Sequence, residues 1–188
     1  MSAAGDVLRA GGLLVYPTET VYGIGVALSA DVDAVRRAKR SPPGRPYLVV
    51  AADAAMACSL WTQAPPPELA KHWPGPLTLI GPAREGLPPE LLGAVGDVPT
   101  IAVRVPGDPW LRALIQEVGE PIVSTSANVA GAPAPQSFDE VDVDALAPDL
   151  AIDRGACPGG VASTLVDFVA VPWKILRPGP ITPERGSP

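Results

Sequence analysis

Eight short apolar runs constrain this chain more than any other feature: "GLLVYP" (12–17), "YLVVAA" (47–52), "LTLIGP" (77–82), "IAVRVP" (101–106), "PIVSTS" (121–126), "LAIDRG" (150–155), "STLVDF" (163–168) and "WKILRP" (173–178). Each is rich in β-branched residues and bounded by Gly or Pro, which predicts strands. Helix signals lie between several of them. Asp108-Pro109 reads as N-cap and first helical position; Trp110, Leu111, Leu114, Ile115 and Val118 then share one apolar face, and Gly119 ends the helix. Ser2 caps a first helix that stops at Gly11. Either Asp31 or Ser29 precedes a helix carrying Val32 and Val35, and Ser137 with Glu140 has capping-box spacing. The last strands follow one another with little room for helices. The pattern therefore predicts an α/β chain of the α+β type, with a mixed sheet and not a purely parallel one.

No repeat and no linker divides the 188 residues. They read as one domain over 1–182, long enough to bury a core, with a flexible tail at 183–188. Pro and Gly number 25 and 19, but they punctuate apolar runs and form no low-complexity tract; a 47% hydrophobic content argues for a folded chain. Cys58 and Cys157 are too few and too far apart for a disulfide framework or metal cluster, and read as buried or inert thiols in a reducing compartment. No apolar run approaches the roughly 18 residues of a membrane span, so the expectation is a cytoplasmic protein without a membrane partner. His72 is the only histidine. That argues against His-rich metal sites and Ser-His-Asp chemistry, and the residue reads as a surface histidine at a helix end.

The net charge is -6, which excludes bulk electrostatic binding of nucleic acid or anionic membrane. The charge is uneven, however. Arg36, Arg37, Lys39, Arg40 and Arg45 lie within ten residues that contain no acid, in and before "KRSPPGRPYLVV". A local cationic site on an acidic body suits a small anion; a solvated helix face running into a loop is the plainer alternative. Lys39, Arg40 and Arg45 offer the groups that neutralise triphosphate oxygens, and Pro42, Pro43 and Pro46 restrict the loop that carries them.

Three more segments place polar residues in apolar surroundings. In "YPTETVYGIG" (16–25), Thr18, Glu19 and Thr20 follow a strand and could hold a polar ligand or simply build a hydroxyl-bonded turn. In "TIAVRVP", alternation puts Thr100, Ala102 and Arg104 on one strand face; an arginine there either pairs with an internal acid or meets an anionic ligand. In "VSTSANVAG", Ser124, Thr125, Ser126 and Asn128 gather at a strand end, where α/β sheets collect ligands. Ser163 and Arg177, the latter before a Pro-Gly turn, add a hydroxyl and a cation.

Taken together, "YPTETVYGIG", "WPGPLTLI", "TIAVRVPGDP", "VSTSANVAGAP", "STLVD" and "ILRPG" resemble, in order and spacing, the threonylcarbamoyl-AMP synthase family. The likeness runs from about Val7 to Ile181 and is similar to the single-domain form. It implies a twisted mixed sheet with flanking helices around a deep, positively charged cavity. By residue, it implies threonine contacts at Thr18, Arg104, Ser124 and Ser163. It implies ATP contacts at Lys39, Thr100, Ser126, Asn128 and Arg177, to which the neighbouring cations Arg40 and Arg45 are added. Lys39, Arg40, Ser126 and Asn128 are the catalytic candidates. The implied reaction joins L-threonine, bicarbonate or CO2, and ATP into threonylcarbamoyl-AMP and pyrophosphate. It needs no side-chain nucleophile, only positioning and charge stabilisation. Mg2+ would ride on the phosphates with few protein ligands and no dedicated metal site. The product would pass to a tRNA threonylcarbamoyl transferase, with at most a weak tRNA contact. Two departures stand out: the family's Lys-Gly-Arg-Pro is here Lys39-Arg40-Ser41-Pro42, and a histidine found in some members is Val50. The rival readings are a non-enzymatic RNA-binding or ribosome-assembly factor of the same fold, and a stand-alone carbamoyl-adenylate module like those of hydrogenase-maturation enzymes. The overall acidity argues against the first.

Overall fold

The computed structural model describes residues 1–44 and 46–184. Arg45, and the 185–188 part of the expected tail, lie outside the described residues. The chain runs α1 (Ala3–Arg9), β1 (Leu14–Tyr16), β2 (Gly23–Ala27), α2 (Asp33–Lys39), β3 (Leu48–Val50), α3 (Ala54–Cys58), α4 (Pro67–Ala70), β4 (Leu77–Pro82), β5 (Gly93–Val95), β6 (Val98–Arg104), α5 (Pro109–Val118), β7 (Ile122–Ser126), α6 (Val143–Leu146), β8 (Leu150–Ala151), β9 (Thr164–Asp167) and β10 (Lys174–Arg177). All eight expected strands are present. The sheet is mixed, as expected: its order is β10-β9-β4-β6-β3-β7-β2-β1-β8, with β5 beside β6. The β1·β8, β3·β6 and β4·β9 pairs are parallel and the others antiparallel.

Two strands escape the apolar pattern, β2 and β5, because both begin with glycine. In β2, "GIGVA", Gly25 pairs with Ser124 and Gly23 with Ser126. Both glycines are needed for close approach. A Cβ at Gly25 would collide with the Val123 carbonyl, and one at Gly23 would lie 3.0 Å from the Tyr16 ring. Glycine inside a strand marks such sites.

Register assigns each sheet face a role. One face carries Val15, Ile24, Val26, Val49, Leu79, Val103, Val123 and Val166, all fully buried in the larger core. The other is covered only at one end, where Leu14, Tyr16, Val50 and Ile122 pack against Leu8 of α1 and Leu111, Leu114 and Ile115 of α5. Burying each such aliphatic side chain contributes roughly 1.5–3 kcal/mol. The caps read from sequence position these helices. Ser2 Oγ accepts from Gly5 N at 3.1 Å, Asp108 Oδ1 accepts from Leu111 N at 2.8 Å, and Gly119 takes the left-handed conformation after α5. Ser2 also donates its amide and hydroxyl to Glu117, tying α1 to α5.

Several local expectations change. Asp31, not Ser29, bonds the start of α2, by accepting from Asp33 N; Ser29 is taken by Glu120. Ser137 makes no capping bond, because Glu140 reaches past it to the Gln136 amide and the segment closes as one 3-10 turn. His72 does follow α4 and is partly exposed, although its Nε2 is buried without a hydrogen-bond partner among the described residues. Cys58 is half-buried and Cys157 buried, both as free thiols whose pKa burial pushes up. No helix among the described residues is long and apolar enough to cross a membrane.

Candidate functional site

The part of the sheet that α1 and α5 leave uncovered forms a cleft with two lobes. The larger encloses about 660 Å³ and the smaller about 270 Å³. Leu48, Ser124, Thr125, Ser126 and Arg177 line both, so the lobes meet at the C-terminal end of β7. Three cations, Lys39, Arg104 and Arg177, line the cleft, and no carboxylate does so among the described residues.

Thr18, Arg104, Ser124 and Ser163 come together in the small lobe; Lys39, Ser126 and Asn128 line the large one. Arg40 and Thr100 line neither. Arg40 is exposed just beyond α2 with left-handed backbone, φ 53°. Thr100 is buried beside Gly93 of β5. Ser41 and Pro42, one and two places after Arg40, do line the large lobe.

Lys39 ends α2 with its side chain turned inward and only 5% of the residue exposed. Its Nζ donates to the Ser126 carbonyl, to the Asn128 carbonyl at 2.6 Å and to Asn128 Oδ1 at 3.3 Å. Among the described residues only carbonyl oxygens hold this ammonium, and desolvation lowers its pKa to about 8. Asn128 is in turn locked by donating Nδ2 to the carbonyls of Val129 and Ala132.

Arg104 fulfils one of the alternatives left open by its sequence: it pairs with an internal acid. Nη2 lies 2.6 Å from Glu19 Oε1, Nε donates to the Gly75 carbonyl at 3.2 Å, and Nη1 donates to Thr20 Oγ1 at 3.0 Å. It also lines the small lobe, so the pairing does not remove it from the site. Thr18 likewise builds the hydroxyl-bonded turn, with Oγ1 accepting from the amides of Thr20 and Val21 while donating to the Val21 carbonyl. On the opposite wall, Arg177 donates Nε and Nη2 to the Ser163 carbonyl, and Ser163 Oγ lies 2.7 Å from Thr78 Oγ1. Desolvation of the guanidinium where it enters the cleft, together with the Arg104 charge, pushes the Arg177 pKa down, although the residue as a whole is exposed. Both guanidinium groups line the small lobe.

Sequence reasoning named Glu19 and Thr20 only as part of a polar turn and assigned no role to Thr78 or Tyr16. An acid flanked by hydroxyls, and a lone threonine in the apolar run "LTLIGP", were the available signals. The donor set does not suit a resident Mg2+ ion: the lobes present hydroxyls, amides and cations, and no group of three or more His, Cys, Asp or Glu side chains clusters among the described residues.

The sequence profile of the Sua5/YciO/YrdC family, described as telomere recombination, matches residues 6–179. The threonylcarbamoyl-AMP synthase of Bacillus subtilis strain 168 is 37% identical over 196 residues, covering 98% of this chain and 55% of the relative. The crystal structure of Pyrococcus abyssi Sua5 complexed with L-threonine superposes with a TM-score of 0.80 at 34% identity, over 94% of this chain and 53% of that one. Escherichia coli YciO gives the same TM-score at 26% identity, covering 94% and 87%. The chain spans about half the length of the Bacillus subtilis and Pyrococcus abyssi relatives it matches. A likeness that runs through the strands, the cleft-lining segments and nearly the whole length of the chain has one meaning: this protein belongs to the Sua5/YciO/YrdC family.

Proposed function

We propose that the chain is an L-threonylcarbamoyladenylate synthase, with residues 1–182 acting as one catalytic unit in the cytoplasm. One observation carries the reading: a small hydroxyl- and arginine-lined lobe opens into a larger cationic lobe across a shared strand end, Ser124 to Ser126. Such a cleft suits the joining of a small amino acid to a nucleotide. The names of the relatives, and the L-threonine bound by Pyrococcus abyssi Sua5, support it.

In this reading threonine occupies the small lobe, with its carboxylate toward Arg104, Arg177 and the Ser124 hydroxyl and its amine toward Ser126, where the lobes meet. The unprotonated amine attacks CO2, its nitrogen then releasing one proton to solvent, or attacks the carbon of bicarbonate, that proton leaving with the hydroxide as water, to give the N-carboxylate of threonine. A carboxylate oxygen then attacks the α-phosphorus of ATP in the large lobe, and pyrophosphate leaves. The protein contributes proximity across the lobe junction and fixed positive charge where phosphate charge builds up. Lys39 and Arg177 supply that charge, while Ser126 and Asn128 supply the neutral cradle. Mg2+ enters with the ATP phosphates as part of the substrate. The product passes to a transferase that modifies tRNA.

The test is pyrophosphate release by the purified chain. It should require L-threonine, bicarbonate and ATP together; release that ignores threonine overturns the reading. The RNA-binding alternative is not favoured, since the named relatives are synthases and the protein is acidic.

A further inference from the structure

Tyr16 is an inward-facing residue of β1 whose hydroxyl reaches across the sheet. The strand order is β1-β2-β7, so Ser124 lies two strands away. Tyr16 pairs with Gly23, and Gly25 pairs with Ser124. A Cβ at Gly23 would lie 3.0 Å from the Tyr16 ring, and one at Gly25 would lie 3.2 Å from its hydroxyl. The two glycines therefore open a groove across β2 in which the ring lies. Glycine weakens a strand interior, so this groove carries a stability cost that the packed ring offsets.

At the end of the groove Tyr16 Oη donates to Ser124 Oγ at 2.6 Å, and the phenol is fully buried. Burial raises the phenol pKa, so the hydroxyl keeps its proton and stays a donor. A serine hydroxyl has one proton and two lone pairs. With one lone pair taken by Tyr16, the Ser124 proton is free to turn toward the cleft, which Ser124 lines in both lobes.

We infer that Tyr16 is a positioning residue: it fixes Ser124 as a hydrogen-bond donor for an anionic oxygen of the amino-acid substrate in the small lobe. Tyr16 lines neither lobe and acts only through Ser124. This rests on the proposed function, because the ligand is taken to be L-threonine.

The experiment is calorimetric titration of the full chain with L-threonine, and separately with a non-hydrolysable ATP analogue. It compares the wild type with Tyr16→Phe, Ser124→Ala and the double variant. If the wild type binds no L-threonine, the proposed function fails, and this inference fails with it but is identified separately. With threonine binding established, Tyr16→Phe is expected to weaken it about five- to twentyfold while ATP-analogue affinity stays within about twofold. The double variant should bind no more weakly than Ser124→Ala. Unchanged threonine affinity in Tyr16→Phe, or an equal loss in the Ser124→Ala background, overturns the inference. Should Tyr16→Phe fail to fold, wild-type protein labelled with 3-fluorotyrosine serves instead. The Tyr16 fluorine resonance is expected to shift on saturation with L-threonine, and to stay still in Ser124→Ala; a resonance indifferent to threonine in the wild type overturns the inference.

Discussion

Arg104 Nη2 sits 2.6 Å from Glu19 Oε1, and the same carboxylate oxygen accepts from the Gly107 amide at 2.6 Å. The pair links strand β6 to the loop after β1 at the back of the small lobe. Removing one partner leaves the other charge buried and unpaired, which typically costs about 3–5 kcal/mol. Glu19→Gln is therefore expected to lower stability by roughly 3 kcal/mol in urea unfolding. A midpoint unchanged from wild type would mean that the pair adds nothing.

Arg104→Ala separates two contributions. It should also destabilise the fold, by stranding Glu19. In the protein that remains folded, L-threonine binding should weaken by about 2–4 kcal/mol, because the substrate carboxylate loses a charge-assisted bond. Calorimetry with L-threonine reads the second effect, and thermal unfolding the first.

Arg40 carries left-handed backbone, φ 53° and ψ 36°, where α2 ends. A side chain there is strained by roughly 1–2 kcal/mol, and glycine is the residue that takes this conformation without penalty. Arg40→Gly should raise stability by about 0.5–1 kcal/mol and leave ATP affinity unchanged, since Arg40 lies outside the cleft lining. Ser41 is in that lining, so adding Ser41→Arg should bring a guanidinium to the large lobe and tighten ATP. ATP affinity that falls with Arg40→Gly alone would return Arg40 to the phosphate site.

Lys39 has a pKa lowered to about 8 by burial. A phosphate beside it favours the charged form and raises that pKa. At pH 8, where the free protein holds the proton on about half its molecules, ATP binding should take up about half a proton, falling toward none at pH 6.5. Calorimetry in buffers of different ionisation enthalpy measures this, with Lys39→Met as the control that abolishes it. The stability effect has a definite sign. The unfolded lysine keeps its proton to about pH 10.5. The folded protein is therefore penalised by this group below pH 8, and the penalty is relieved as pH rises from about 8 toward 10.5.

Arg177 is on the edge strand β10, and among the described residues its side chain hydrogen-bonds only to Ser163. Arg177→Ala should weaken ATP by about 1.5–3 kcal/mol while the melting temperature stays close to wild type. A lower melting temperature with unchanged ATP affinity would make Arg177 a strut for Ser163 and nothing more.

What the sequence determined by itself is local. β-branched runs between Gly and Pro marked eight of the strands, because strand formation and termination depend on neighbouring residues. The caps at Ser2 and Asp108 and the stop at Gly119 were legible for the same reason. Threonine and serine clusters marked Thr18, Ser124, Ser126 and Ser163 as a polar set, and these do share one cleft. The tertiary structure decided whatever depends on a distant partner. Strand β2 was hidden because its glycines make sense only once the Tyr16 ring lies across them. The partner of Arg104 is an acid 85 positions earlier in the chain, brought beside it by the sheet order. Arg40 and Lys39 look alike in sequence, as adjacent cations in one motif. Helix phase turns Lys39 into the cleft, and the left-handed end of α2 sends Arg40 out to solvent. Which of two neighbouring charges meets a ligand is set by the backbone direction at that residue, and the folded chain around it imposes that direction.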